Sequence, residues 1–471
     1  MLSRRRTRLR LTVAAAAVLS ASAAGLPLLA QETEGGQVFT LDLSTSVRAS
    51  DNFDLDADSA GDTILSETFI GLGYESVGRT QTFRFYLSDR FRFGDGPGAP
   101  AEADFEGINA NLYYEKLWVN SRLVFDARLR TIDLSDDLDA EDIEDIVDDE
   151  ELDPLTLERG TLRTSNVSLG FQTGIEGPIG AEFFISHAQN DYIDTTDPDL
   201  NDNETLTGEV ALLMRPDTVT EFRLGYAESE YDEEDAEGTL RRTRVLTFGA
   251  VRQLNPVAVL SGEIGWKEIE EEWRNLPADP DDERGLTASL SYLRELPSGN
   301  FGIDLSHDVT NAGDRTDLWV SRVYDYPLGS LGVSVGVAKP ENGDYEPVGR
   351  ISYDRAIGDQ AFGLSLASEV VVTSDSEIQR NTSANVSYDY QISNLDSVGF
   401  SLGYVWIDSI GGVPVDESTS ATATAVYRRA LTQDWSLETG YSYRLRREEG
   451  EGDAESNTLF LTLQSSFNWR P

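Results

Sequence analysis

The sequence predicts an all-β fold: a transmembrane, antiparallel, up-and-down β-barrel of about 22 strands (about 18 at the fewest), with both termini periplasmic. Three observations predict it. Apolar and polar residues alternate with a period of two, over segments of roughly 11–15 residues that suit a tilted strand crossing a bilayer. Tight turns alternate with longer, acidic connections, as in barrels with one short-turned and one long-looped end. The one long apolar run stands at the N-terminus.

That run comes first. Arg4, Arg5, Arg6, Arg8 and Arg10 precede Leu11–Ala24, a stretch of Val, Ala, Leu and Ser. A basic region, a short apolar core and small residues near its end make a secretory signal peptide. The expected division is 1–30 as signal peptide and 31–471 as a single barrel domain, exported to a Gram-negative outer membrane. Hydrophobic residues make up 39% of the chain, too few for a helical membrane protein.

Alternation carries the body of the chain. In Gln379–Ile392, Thr382, Ala384, Val386, Tyr388, Tyr390 and Ile392 form one face, while Asn381, Ser383, Asn385, Ser387, Asp389 and Gln391 form the other. Successive strand side chains point to opposite sides of a sheet, so one side meets an apolar medium and the other water. The same split recurs in Val38–Ser50, Thr80–Phe93 and Trp435–Arg446. Strands are expected to start near residues 37, 62, 79, 104, 119, 161, 179, 204, 218, 240 and 257. The rest start near 284, 299, 315, 331, 345, 360, 379, 397, 417, 434 and 456.

The connections set the count and the orientation. Arg215-Pro-Asp-Thr218, Leu254-Asn-Pro-Val257, Ala356-Ile-Gly-Asp359 and Ser393-Asn-Leu-Asp396 hold the Gly, Pro, Asn or Asp that a chain reversal requires. Asp51–Asp62, Asp133–Glu158, Asp191–Glu204, Glu228–Glu237, Glu268–Glu283 and Glu448–Glu455 are long and acidic, and read as external loops. Trp118, Trp435 and Trp469 fall at periplasmic strand ends; Trp266, Trp406 and Trp319 fall near outer ends, and Trp273 lies in a loop. Aromatics at both ends of an apolar face form interfacial girdles. The chain closes on Leu459, Leu461, Leu463, Phe467 and Trp469 at alternate positions, which resembles the C-terminal strand by which outer-membrane barrels are recognised for assembly.

Composition excludes several functions. With 84 Asp and Glu against 38 Lys and Arg, the formal charge is −46, which argues against nucleic acid as a partner. There is no cysteine, hence no disulfide, thiol nucleophile or thiolate ligand. The two histidines, His187 and His307, fall on apolar faces. Their neighbours Ser186 and Ser306 point to the opposite face, so neither pair makes a nucleophile and base, and no enzyme activity or cofactor is expected.

The segment Ser46–Asp56, SVRASDNFDLD, followed by Gly71–Ser76, GLGYES, and Thr82–Phe91, TFRFYLSDRF, resembles the opening of porin-like barrels found beside exopolysaccharide clusters. The resemblance implies transport, in connection with surface polysaccharide, and carries no functional residue with it.

Four groups of residues remain as candidates. Arg84, Arg90, Arg92, Arg122, Arg128, Arg130, Arg223, Arg252, Arg350, Arg444 and Arg446 are expected to line the lumen, since such charges face lipid only at a cost. They either pair with lumen acids such as Asp42, Asp126, Glu209 and Glu263 or steer an anionic solute. Asp54, Asp56, Asp58 and Asp62 have the alternate spacing that can wrap calcium, without the glycine and glutamate of an EF-hand loop, so a solvated loop is the simpler reading. Asp133–Glu158 is either an external loop or a constriction folded into the lumen. The expected function is a passive, porin-like channel for solutes or secreted polysaccharide, with a structural or adhesive barrel as the alternative. A TonB-type active transporter is disfavoured because few residues separate the cleavage site from Gln37. Expected partners are membrane lipid, lipopolysaccharide and the barrel-assembly machinery.

Overall fold

The computed structural model describes residues 36–100, 104–105, 107–134, 160–195, 200–280, 282–341, 343–372, 378–410, 417–448 and 452–470. The expected signal peptide lies outside the described residues.

The chain is a succession of strands. The first are β1 (Gly36–Ser50), β2 (Thr63–Val77), β3 (Gln81–Asp95), β4 (Asp104–Phe105), β5 (Asn109–Leu117), β6 (Ser121–Asp133), β7 (Thr161–Thr173) and β8 (Ile179–Ile193). There follow β9 (Asn203–Met214), β10 (Thr220–Glu233), β11 (Thr239–Asn255), β12 (Ala258–Trp273), β13 (Glu283–Leu296), β14 (Gly299–Thr310) and β15 (Gly313–Tyr326). The last are β16 (Gly329–Pro340), β17 (Glu346–Ile357), β18 (Gln360–Val372), β19 (Ile378–Gln391), β20 (Asp396–Ser409), β21 (Ser418–Ala430), β22 (Trp435–Glu448) and β23 (Gly452–Trp469).

Each strand pairs antiparallel with the next. β4 and β5 both lie along β3 as one interrupted pass, so the barrel has 22 crossings. The ring closes where β1 pairs with β23, from Phe39 opposite Trp469 to Ser50 opposite Thr458. Closure matters in a bilayer, where each unpaired backbone group at a sheet edge costs several kcal/mol. The smaller expected strand counts are thereby set aside.

Register assigns the faces. Leu72, Leu246, Leu290 and Leu461 lie on the outer face, each 49–53% exposed, within a belt of apolar side chains around the barrel. Polar residues alternate with them on the inner face: Ser44, Asp42 and Thr40 of β1 are cross-strand partners of Gln464, Ser466 and Asn468 of β23.

Tight turns gather at one end, the turn end. In the β9–β10 turn the Asp217 carboxylate accepts the Val219 N–H at 2.9 Å, which holds that carboxyl below the usual range. Gly299 opens β14 with φ +96°, and a Cβ there would sit 2.1 Å from the Val323 carbonyl oxygen, so the turn takes only glycine easily.

At the opposite, loop end the connections fold onto the wall. Asn52 donates to the carbonyls of Asp56 and Glu455 at 2.7 and 2.9 Å, and Arg444 donates to the Phe53 carbonyl at 2.8 Å. Two apolar clusters lie there: Ile132, Leu134, Leu162 and Leu200 with Tyr192, and Ala338, Val348, Val370 and Ile410 with Trp319 and Ile378.

Two tryptophans depart from expectation. Trp319 pairs with Asp304 and Gly336 on the inner face, and the Arg350 guanidinium lies 5.7 Å from its ring centroid. Gly336 leaves room for the indole, which therefore joins an inner cluster instead of the outer girdle. Trp273 is the last residue of β12, because β11 and β12 continue their pairing to Thr239 opposite Trp273.

Candidate functional site

The ladder between β3 and its neighbour breaks once. Pairing runs from Gln81 opposite Lys116 to Ser88 opposite Asn109, and resumes at Phe91 opposite Phe105. Between these two stretches the register shifts by one residue, which is a β-bulge. β6 closes the gap: the Thr131 N–H donates to Asn109 Oδ1 and its hydroxyl donates to the Ile108 carbonyl, both at 2.9 Å.

Beside the bulge the inner wall holds a recess of about 300 Å3, lined by Tyr86, Arg90, Asn109, Asn111, Arg128 and Arg130, with Ile132 at its edge. β3 supplies Tyr86 and Arg90, β5 the asparagines, and β6 the other two arginines. Arg128 opposes Asn111, and Tyr86 opposes Asn111 from the other side, so the group shares one face. Tyr86 crosses β2 to donate to Asp42 Oδ2 at 3.1 Å. It can do so because Gly71 stands under it; a Cβ there would lie 2.2 Å from the phenol oxygen.

Charge around the recess is uneven. Arg128 pairs with Asp126 at 2.8 Å. Above it Arg92, 4% exposed, sits between Glu67 at 2.8 Å and Asp133 at 2.6 Å, with Arg48 3.9 Å from Glu67. The wall from β8 to β18 instead presents Glu182, Glu209, Glu263, Asp304, Asp317 and Glu369 inward. Three guanidinium groups converging on two carboxamides and a phenol suit an anion: the forks supply charge and paired donors, and the carboxamides complete the coordination.

Ten of the eleven expected arginines, Arg84, Arg90, Arg92, Arg122, Arg128, Arg130, Arg223, Arg350, Arg444 and Arg446, lie on the inner face. Arg252 is the correction. It pairs with Thr220 and Leu260 and shares the outer face of Leu246 and Phe248 near the turn end, where a long side chain can carry its charge to the interface. Several of the inner arginines are wall struts: Arg84 pairs with Glu75 at 2.8 Å, Arg122 with Glu115 at 2.7 Å, Arg223 with Glu209, and Arg350 with Glu369.

The acidic candidates do not converge. Asp54 is buried beside Gly98 while Asp58 is exposed, and among the described residues no group of three His, Cys, Asp or Glu is placed to hold a metal ion. Of Asp133–Glu158, only Asp133 and Leu134 belong to the described residues; 135–159 lie outside them. His187 and His307 face outward, near Glu204 at 3.3 Å and Thr316 at 2.8 Å, while Ser186 and Ser306 face inward. The sequence reading missed Asn109, Asn111 and the bulge; Gly107, a glycine inside an apparent strand, was the signal for it.

No family model and no characterised protein matches the sequence. Solved structures do share the fold. The ferric enterobactin receptor PfeA of Pseudomonas aeruginosa aligns with a TM-score of 0.55 and 11% identity, over 93% of this chain and 82% of that one. The ferric-catecholate import receptor Fiu of E. coli aligns with a TM-score of 0.57 and 11% identity, over the same shares. The copper transporter OprC aligns with a TM-score of 0.53 and 13% identity, over 91% and 80%. The chain accordingly shares the large antiparallel β-barrel fold of these outer-membrane proteins. The same comparisons overturn the expectation of a passive porin-like channel, since the aligned barrels are named as receptors for ferric enterobactin and ferric catecholates and as a copper transporter, and they lend no support to an exopolysaccharide-associated kind. The expectation against active transport rested on residues ahead of Gln37, most of which lie outside the described residues.

Proposed function

We propose that this barrel is an outer-membrane receptor that captures a small anionic ligand at the Arg90–Arg128–Arg130 recess for import, with its loop end facing outside and its termini in the periplasm. The convergence of three arginines beside the bulge opposite β3 carries the reading. A strand interruption of this kind costs ladder hydrogen bonds and is retained where it re-aims side chains. The structurally similar ferric enterobactin receptor and ferric-catecholate import receptor support the same class of role. Binding, and not catalysis, is what the recess chemistry favours: its donors orient an anion, and no nucleophile paired with a base stands beside them.

Calorimetry on the refolded barrel tests the site with citrate and inorganic pyrophosphate as probes. The expected result is saturable binding of both at low salt that weakens steeply towards 0.5 M salt, as screening of an arginine site requires. Absence of binding of either probe at 10 mM salt would remove the anion reading.

Orientation has its own test, made clean by the absence of cysteine. Ala236, exposed between β10 and β11, and Thr218, exposed in the β9–β10 turn, are replaced singly by cysteine. A membrane-impermeant maleimide on intact cells should label the Ala236→Cys variant and spare the Thr218→Cys variant. The reverse pattern would invert the barrel.

A further inference from the structure

The outer face of β10, β11 and β12 changes character in a single step. Its row Tyr226–Leu246–Trp266 belongs to the exposed apolar belt. The next row towards the loop end is Glu228–Arg244–Glu268, and the one beyond it is Glu230–Arg242–Glu270. Arg244 lies 3.4 Å from Glu228, 4.0 Å from Glu268 and 3.1 Å from Glu270; Arg242 lies 3.8 Å from Glu228 and also pairs with Glu230. The arginine side chains stay 33–39% exposed and the glutamates 38–44%, so the rows are open to the surroundings.

Successive rows on one face are about 6.6 Å apart along a strand, which is about 5 Å of height at a tilt of about 40°. Both charged rows therefore stand within about 10 Å of the aromatic row, in the head-group layer that flanks the hydrocarbon core. The strip is local. On β1 to β4 the outward residues towards the same end include Val47, Ile64, Phe93 and Phe105, with Ser66 and Asp95 beside them and no arginine.

The first row continues onto Arg284 of β13, opposite Glu268, so four glutamates meet three arginines; the strip stays net negative, and Arg242 and Arg244 each keep an exposed edge. A phosphate approaching it gains the guanidinium donors and meets carboxylate repulsion, which a divalent cation shared between carboxylate and phosphate converts to attraction. We propose that these two rows bind the phosphorylated head group of an outer-leaflet glycolipid through Arg242, Arg244 and divalent cations held by the flanking glutamates. The proposal rests on the loop end facing outside. Its test does not, because detergent micelles have no sides.

The refolded barrel in micelles is titrated with fluorescently labelled lipopolysaccharide in Mg2+. Wild type should bind about tenfold more tightly than the R242Q/R244Q variant, the loss expected for charged hydrogen bonds. EDTA should abolish the difference, and enzymatically dephosphorylated lipopolysaccharide should not distinguish the two proteins. Folding of the variant is checked by its heat-modifiable gel mobility. If it fails to fold, R242K/R244K keeps the charge without the fork and should show a partial loss. Equal affinity of wild type and folded variant for phosphorylated lipopolysaccharide would overturn the proposal. So would inorganic phosphate displacing the lipid at matched phosphate concentration, which would make free phosphate the ligand.

Discussion

Replacing Arg90 and Arg130 together by glutamine will weaken citrate and pyrophosphate binding about a hundredfold, while Arg252→Gln will leave it unchanged. Hydrogen bonds to charged groups contribute about 1.5–3 kcal/mol each, and about 2.7 kcal/mol corresponds to a hundredfold in affinity. Removing two such hydrogen bonds at once reaches that figure even when they are partly redundant with Arg128. Glutamine is shorter and has two N–H donors where arginine has five, so the loss combines charge with reach, and its salt dependence separates the two. The salt dependence should flatten in the double variant, since fewer charges are screened. Arg252 is a fair control because it stands on the outer face, away from the recess. An affinity for both probes within twofold of wild type in a folded double variant would place the anion site elsewhere.

The fold was legible because a bilayer imposes a simple rule on every strand. Outward residues must be apolar and inward ones meet water, so Val38–Ser50 or Gln379–Ile392 each state their own two faces, and most strands begin within a few residues of where alternation begins. The turn end was legible for the same local reason: residues such as Gly299 and Asp217 stop a strand by their own chemistry. The site was only half legible. Alternation marked Arg90, Arg128 and Arg130 as inward, yet their convergence depends on how three strands are registered around a bulge, and register is a relation between strands. Arg252 shows the same limit. The cost of a charge in lipid argues for an inward arginine, yet the β11 alternation from Leu246 and Phe248 puts Arg252 outward, at a strand end where a long side chain escapes the lipid. Trp319 behaves likewise, its chemistry suggesting an interface while its register faces the lumen.

The face assignment predicts opposite outcomes for two neighbouring substitutions in β13. Leu290 is outward, 50% exposed, and mid-strand, opposite Gly262 and Leu305. Ser291 is inward, opposite Ser261 and Asp304. An arginine in place of Leu290 meets hydrocarbon near the bilayer midplane, and should destabilise the barrel by about 2–4 kcal/mol. Snorkelling relieves such a charge mainly near an interface, and Leu290 is several residues from either end of its strand. The same side chain in place of Ser291 meets water and the Asp304 carboxylate, so the change should stay within about 0.5 kcal/mol. Both variants carry the same added charge and differ only in phase, so their difference isolates the face. Reversible guanidinium titration in phosphatidylcholine vesicles reads it, with unchanged slopes confirming that only stability has moved. Equal destabilisation by the two would mean that β13 does not present Leu290 to lipid, and the register of the whole barrel would have to slip by one residue.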